Sequence, residues 1–315
     1  MRSPLLLVLA IPAFARADDA KLFAEGVIST PFDDFGATLT PDGKTLFFTR
    51  SVPRSNVYVI CRSDWRDGRW SEPEVAPFSG RTWDFDPVIS PDGARMVFAS
   101  DRPAPGVANP DKDFDIWAVD RTPTGWSAPW RLGASVNSDA DETFASIAAS
   151  GTLYFVTNRD SARDGGREHL AVYRARPEGK GYGPAEKLLG AINQPENITL
   201  EALVSPDERF ILLTPMGRQD GFGSFDIYVS EEKDGLWTEP RNLGPKVNTR
   251  SRDYSPRFMP DGKTLLFSSE RGFATDPRTD AITYPELRRR LASVLNGWGN
   301  LYTIALADVG LELGK

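Results

Sequence analysis

Ser90-Pro91-Asp92-Gly93-Ala94-Arg95-Met96-Val97-Phe98-Ala99-Ser100-Asp101-Arg102 is the stretch that decides the fold. Proline presets φ for the first turn position, aspartate bonds its own backbone, and glycine accepts φ > 0, so the first four residues make a tight turn. A short apolar run then reads as a strand, and an arginine ends it. The phrase recurs as Thr40-Pro41-Asp42-Gly43 running to Arg50, and as Met259-Pro260-Asp261-Gly262 running to Arg271. Ser205-Pro206-Asp207-Glu208 before Arg218 is a fourth copy, and Ala148-Ala149-Ser150-Gly151 before Arg159 a worn fifth. The copies stand roughly 50 to 58 residues apart, the spacing of propeller blades.

Outward from the turn, each unit reads as four strands. The first precedes the turn and the second follows it, as in Thr45-Leu46-Phe47-Phe48 and Thr264-Leu265-Leu266-Phe267. The third is a short phrase such as Asn56-Val57-Tyr58-Val59, Asp115-Ile116-Trp117-Ala118 or Asp226-Ile227-Tyr228-Val229. The fourth opens at an aromatic residue with proline close behind: Trp70 to Pro73, Trp126 to Pro129, Trp237 to Pro240, and Tyr182 to Pro184 in shortened form. Proline is tolerated on an outermost strand, which can spare an N–H. The eight tryptophans fall largely on such repeat positions and are expected to serve packing.

Five units begin near residues 33, 84, 141, 198 and 252, and the expected architecture is an all-β, five-bladed propeller, with six blades as the alternative. The fifth unit lacks its fourth strand after Asn300-Leu301-Tyr302. Leu22 to Ile28 look like a fourth strand without a blade, because Val27 precedes Asp33 by the interval that separates Val247 from Asp253. Pairing the two would close the ring and remove two open sheet edges. Thr283 to Gly297 interrupts the last unit. Thr283 suits an N-cap, Pro285 the first turn, and Leu287, Leu291, Val294 and Leu295 share one face, so a short helix packed on the propeller is expected, with a docking helix as the other reading.

These phrases resemble the Pro-Asp relative of the WD repeat found in the TolB-like β-propeller family, over about residues 22–308. That resemblance implies an exported binding or scaffold module. TolB-like proteins usually carry six blades and an added N-terminal domain, where five units are counted here.

The chain begins as a secretory signal does. Arg2 is positive, Leu5 to Ala15 is apolar, and Ala15-Arg16-Ala17 has the small-x-small cleavage pattern. The expected division is residues 1–17 as signal peptide and 18–315 as one propeller domain, in the periplasm or outside the cell. The apolar run is too short to span a bilayer as a helix, so no integral membrane segment is expected after cleavage.

A net charge of -7 argues against nucleic acid as a partner. A protein, a small molecule or a glycan is expected instead. Cys61 is the sole cysteine, so no intrachain disulfide forms, and it reads as a small buried hydrophobe. His169 is the sole histidine, which excludes multi-histidine zinc sites.

Aligned on the turn, the position seven upstream holds Asp34, Asp84, Glu142, Thr199 and Asp253, and the position five upstream holds Gly36, Asp86, Phe144, Glu201 and Ser255. Residues two apart share a strand face, so Asp34, Asp84, Asp86, Glu142, Glu201 and Asp253 are expected to ring the central channel, with Arg257 available to neutralise part of it. Three readings stay open. The acids bond backbone N–H groups and basic neighbours, they hold a cation such as calcium, or Asp34, Asp84 and Glu142 serve a carbohydrate-active hydrolase as three inner-strand acids. The intervening Phe35, Phe85, Thr143, Leu200 and Tyr254 are expected to point into the blades. Each arginine closing strand two is expected to meet the residue opening strand three: Arg50 with Asn56, Arg102 with Asp115, Arg159 with His169, Arg218 with Asp226 and Arg271 with Asn300.

Overall fold

The computed structural model describes residues 20–53, 55, 57–103, 113–161, 170–194, 198–272 and 281–314. The segment 1–17, Asn56 and His169 lie outside the described residues. Five antiparallel sheets form the blades of a five-bladed propeller. In the first blade, Asp33–Leu39 is innermost, followed by Thr45–Val52 and Val57–Arg66, with Arg69–Trp70 and Glu74–Val75 both pairing to the third strand. The fourth strand is thus a hairpin return plus a short edge strand, an arrangement repeated in the second and fourth blades.

The second strands carry unbroken apolar runs because both faces of each sheet are covered. Leu46 and Phe48 pack toward the fifth blade while Phe47 packs toward the second. Likewise Leu265 and Phe267 face the fourth blade and Leu266 the first. Among the described residues the core therefore divides into five clusters, one at each junction between blades. Cys61 is buried in one of them, and burial pushes its thiol up to about 11.

The ring closes with the N-terminal strand. Lys21–Leu22 pairs antiparallel with Asn300–Ala305, Lys21 opposite Thr303 and Leu22 opposite Tyr302. Phe23 N–H adds a bond to Leu301 O at 2.8 Å. Ile28, fully buried, and the Ser29 hydroxyl, 3.2 Å from Leu301 N, carry the chain into the first blade.

The helical insertion spans Tyr284–Leu291 and stops well short of Gly297. Its start matches the sequence: Thr283 accepts from Glu286 N–H at 3.4 Å and proline occupies the first turn. Its placement does not. No residue of the helix is buried, with Tyr284 72% and Leu291 60% exposed. The leucines at helical spacing have no partner surface among the described residues, whereas Leu295, past the helix, does pack against the core. Arg289 and Arg290 fold back onto Glu286 at 2.8 and 2.7 Å.

Candidate functional site

The two aligned acidic positions do not form one ring. Each inner strand carries a β-bulge at the inner of the two positions: the register slips between Phe35 and Thr38, Phe85 and Val88, Thr143 and Ser146, Thr199 and Ala202, and Tyr254 and Arg257. At the bulge Gly36, Asp86, Phe144 and Ser255 have φ of 57°, 51°, 48° and 47°. An extra residue re-aims the side chains that follow, so the strict two-residue period fails here.

The outer position is consumed inside each blade. Asp34, Asp84, Glu142 and Asp253 are fully buried, and each is held by the arginine that closes strand two of its own blade. Arg50 meets Asp34 at 2.7 Å, Arg159 meets Glu142 at 2.9 Å, Arg271 meets Asp253 at 2.9 Å, and Arg102 meets Asp84. The same guanidinium groups donate to carbonyls of the chain entering the blade, Ile28, Phe78, Val136 and Val247. Hydroxyls take up the remaining carboxylate lone pairs: Thr30 on Asp34, Ser79 and Ser100 on Asp84, Ser138 and Thr157 on Glu142, Thr249 and Ser269 on Asp253. Burial nevertheless outweighs Arg50 at Asp34 and pushes its carboxyl up to about 6.

This corrects the expected arginine partners. Asp115 bonds Arg131 instead of Arg102, Asp226 accepts from Phe222 N–H and Asn242, and Asn300 donates to Val294 O and Trp298 O. The fourth blade supplies an internal control. It has Thr199 at the acidic position, and there Arg218 turns outward to Asp220 and Glu239 at 2.9 and 3.0 Å.

The inner position does reach the axis, where Asp86, Glu201, Ser255 and Arg257 meet. Arg257 Nη2 lies 3.3 Å from Asp86 Oδ1 and Nη1 donates to Pro256 O at 2.7 Å. Ser255 Oγ sits 2.8 Å from Glu201 Oε1 and 3.4 Å from Asp86 Oδ1. Glu201 also accepts from Thr214 at 3.1 Å and from Ser255 N–H. Gly36 completes the waist, and its N–H donates to Ser268 at 3.2 Å. Burial, then the charge of Glu201, raises the Asp86 carboxyl against the pull of Arg257, and burial raises Glu201. Two buried atoms of this network, Asp86 Oδ2 and Arg257 Nε, have no hydrogen-bond partner among the described residues.

The two ends of the inner strands differ. At the turn end, Leu39, Ile89, Ile147, Val204 and Phe258 line a cavity of about 260 Å³ in which Arg257 is the charged residue. At the opposite end, Asp33, Tyr58, Arg252, Glu270 and Trp298 line an opening of about 540 Å³. Beside it runs an arc of half-buried rings. Tyr254 meets Phe35 at 6.0 Å between centroids, Phe35 meets Tyr58 at 6.2 Å, Tyr58 meets Phe85 at 5.7 Å, and Phe85 meets Phe144 at 5.9 Å. Phe35, Phe85 and Tyr254 thus make an aromatic rim across blades instead of filling the blade interiors. Burial and the charges of Asp33 and Glu270 push the Tyr254 phenol upward. Among the described residues no group of three acidic, cysteine or histidine side chains is close enough to hold a metal ion.

Sequence reading missed a recurring clip. Asn137, Asn193 and Asn248 each bond the N–H and C=O of one residue at the start of a blade's third strand: Ile116 and Val172 within the strand, and Ile227 immediately before it. A visible signal existed: an apolar-Asn pair 21 residues after the strand residue it clips.

No protein-family model matches the chain, and no curated protein matches it. Solved structures do. A candidate TolB from Agrobacterium tumefaciens aligns with a TM-score of 0.51 and 16% identity over 88% of this chain and 91% of that one. A protein of unknown function from Dyadobacter fermentans gives 0.51 and 13% over 90% and 96%. Hydrazine synthase from Kuenenia stuttgartiensis gives 0.50 and 11% over 75% of this chain and 35% of that one. The chain is a TolB-like β-propeller in fold, and at these identities the fold is what is shared. No helix of the described residues is long and apolar enough to cross a membrane.

Proposed function

We propose that this protein is an exported, non-catalytic binding module that takes a protein, small-molecule or glycan ligand on the propeller axis. The observation that carries this reading is the neutralisation of Asp34, Asp84 and Glu142. Each is fully buried, ion-paired to an arginine and hydrogen-bonded to hydroxyls. A glycosidase needs one carboxyl free to protonate the leaving group and a second free to activate water or attack. These carboxylates are shielded from solvent and occupied by arginine and hydroxyl donors, and they fix the inner strands to the blade connections. Binding propellers need only a rigid ring with a shaped mouth, and the turn end of this one opens into a cavity lined by all five blades.

The test compares glycans before and after incubation by mass spectrometry. Recovery of every oligosaccharide at unchanged mass agrees with a binding module. A cleavage product that disappears in Asp84→Asn or Glu142→Gln would establish the hydrolase instead. Export has its own readout: intact mass of the protein recovered from periplasm or medium, with a mature N-terminus near Asp18 expected.

A further inference from the structure

We propose that the turn-end mouth of the channel docks an extended peptide of a partner protein, one that presents a leucine-sized side chain followed by glycine. Residues 312–314 of this chain occupy that same place in cis. The inference rests on the binding-module reading and names its ligand. The mouth comes first. The ends of all five inner strands and the turn prolines Pro41, Pro91, Pro206 and Pro260 line the cavity of about 260 Å³. Leu313 joins this lining from outside the repeat.

The way Leu313 is held shows what the mouth accepts. Leu311 is buried, whereas Glu312 and Gly314 are exposed and Leu313 is half-buried. One bond is made to the peptide group on each side of Leu313. Arg209 Nη2 donates to Glu312 O at 3.1 Å, and Gly314 N–H donates to Asp207 Oδ2 at 3.0 Å. Arg209 and Asp207 also pair with each other, which sets the spacing of donor and acceptor. Both contacts are to backbone, so any extended chain can make them, and the side chain between them sets the choice. A methyl group on Gly314 would fall on Asp207 Oδ2. Ser205 Oγ, 2.7 Å from Asp207 Oδ1, keeps that carboxylate in place, so glycine follows the leucine. The clamp belongs to the fourth blade alone. The residue after the turn is Arg209 there, and Lys44, Ala94, Thr152 and Lys263 in the other copies. Two bonds at an exposed surface exchange readily for bonds to water. The tethered segment nevertheless competes at an effective concentration on the order of millimolar, which holds weaker peptides off.

The experiment follows the fluorescence anisotropy of a dye-labelled, amidated peptide, Gly-Leu-Glu-Leu-Gly-Lys, the sequence of residues 310–315. It is titrated with the full-length wild-type chain and with full-length Leu313→Glu, in which the resident side chain no longer suits the apolar mouth. Leu313→Glu is expected to bind the peptide at least ten-fold more tightly than wild type. Glutamate in place of the peptide's second leucine, or valine in place of its second glycine, should each weaken binding ten-fold or more. These peptide changes leave the protein untouched. Arg209→Ala added to Leu313→Glu should weaken binding five-fold or more. Equal affinity for wild type and Leu313→Glu, or no binding to Leu313→Glu, would overturn the site. Unchanged affinity after Arg209→Ala would overturn the clamp, and undiminished binding of either altered peptide would overturn the side-chain choice. A wild-type dimer that Leu313→Glu abolishes would make a second copy of this chain the occupant and overturn the foreign peptide. None of these results touches the binding-module reading, which falls only to glycan turnover.

Discussion

Gly36 of the first blade stands so close to Asp86 of the second that a methyl group on its α-carbon would occupy the place of Asp86 Oδ1. It also holds φ at 57°. Gly36→Ala therefore combines left-handed strain with a collision at the channel waist, and a loss of about 2–5 kcal/mol is expected in chemical denaturation. Gly43→Ala is the matched control. Its φ is 68°, but no atom of the described residues beyond its chain neighbours lies within 4 Å of a methyl group added there, so only the backbone cost of about 1–2 kcal/mol should appear. Equal losses for the two would show that the waist is not closed as described.

The repeated arginine–acid pairs make a second comparison. Arg102→Ala strands a fully buried Asp84 and should cost about 3–5 kcal/mol. Arg218→Ala leaves Asp220 and Glu239, both more than half exposed, and should cost about 1 kcal/mol. Urea midpoints of the two variants measure the difference. A fourth-blade variant as damaged as the second-blade one would contradict the assigned partners.

Protonation gives a third expectation. Asp34, Asp86, Glu201, Asp115, Asp226 and Glu270 all have carboxyl groups raised in the folded state, burial leading in each case. A carboxyl raised on folding binds its proton more tightly folded than unfolded. Stability from it is greatest at low pH and is lost as pH climbs from the unfolded value near 4 through the folded one, about 6 for Asp34. Carboxyls lowered by surface arginines act below that window. The melting temperature should fall between pH 5 and 8, and Asp86→Asn, which removes the like charge facing Glu201, should flatten the slope. A rising or level wild-type profile would be the contrary result.

Calcium is expected to leave the melting temperature unchanged against chelator at fixed ionic strength. The outer acids are bound to arginine and no triad of ligands converges among the described residues. A calcium-dependent rise that vanishes in Asp84→Asn with Glu142→Gln would establish the cation reading.

Closure of the ring is tested by deleting Lys21 to Ile28. This removes the partner of Asn300–Ala305 and the fully buried Ile28. Aggregation, or a fall of several degrees in melting temperature, is expected. An unchanged melt would place the stabilising contacts elsewhere.

The blades were readable because turn chemistry is local. Pro91-Asp92-Gly93 and its copies fix where strands begin, and an unbroken run such as Leu46-Phe47-Phe48 declares a sheet covered on both faces. The missing fourth strand and the orphan at Lys21–Leu22 were readable for the same reason, as a count that did not balance. The site was harder because it depends on one inserted residue per inner strand. Asp84 and Asp86 look equivalent at a period of two. The bulge at Asp86, a non-glycine residue at φ 51°, sends one to Arg102 and the other to Arg257. The aromatic rim of Phe35, Phe85 and Tyr254 was hidden by the same shift. The exposed face of Tyr284–Leu291 had the right spacing for burial, yet spacing alone does not say whether a surface waits to receive it.

The latch between Lys21 and Thr303 also sets a timetable. Ribosomes add roughly 5–20 residues per second. The Lys21–Leu22 strand therefore waits on the order of a quarter of a minute to a minute before its partner exists. Throughout that wait the flank of the first blade that will meet the fifth, with Phe48 and Ile28, has nothing to cover it. Four blades can stack as they emerge, but the circle is completed only once Thr303 has been made, so whatever escorts the nascent chain must shield that flank until then.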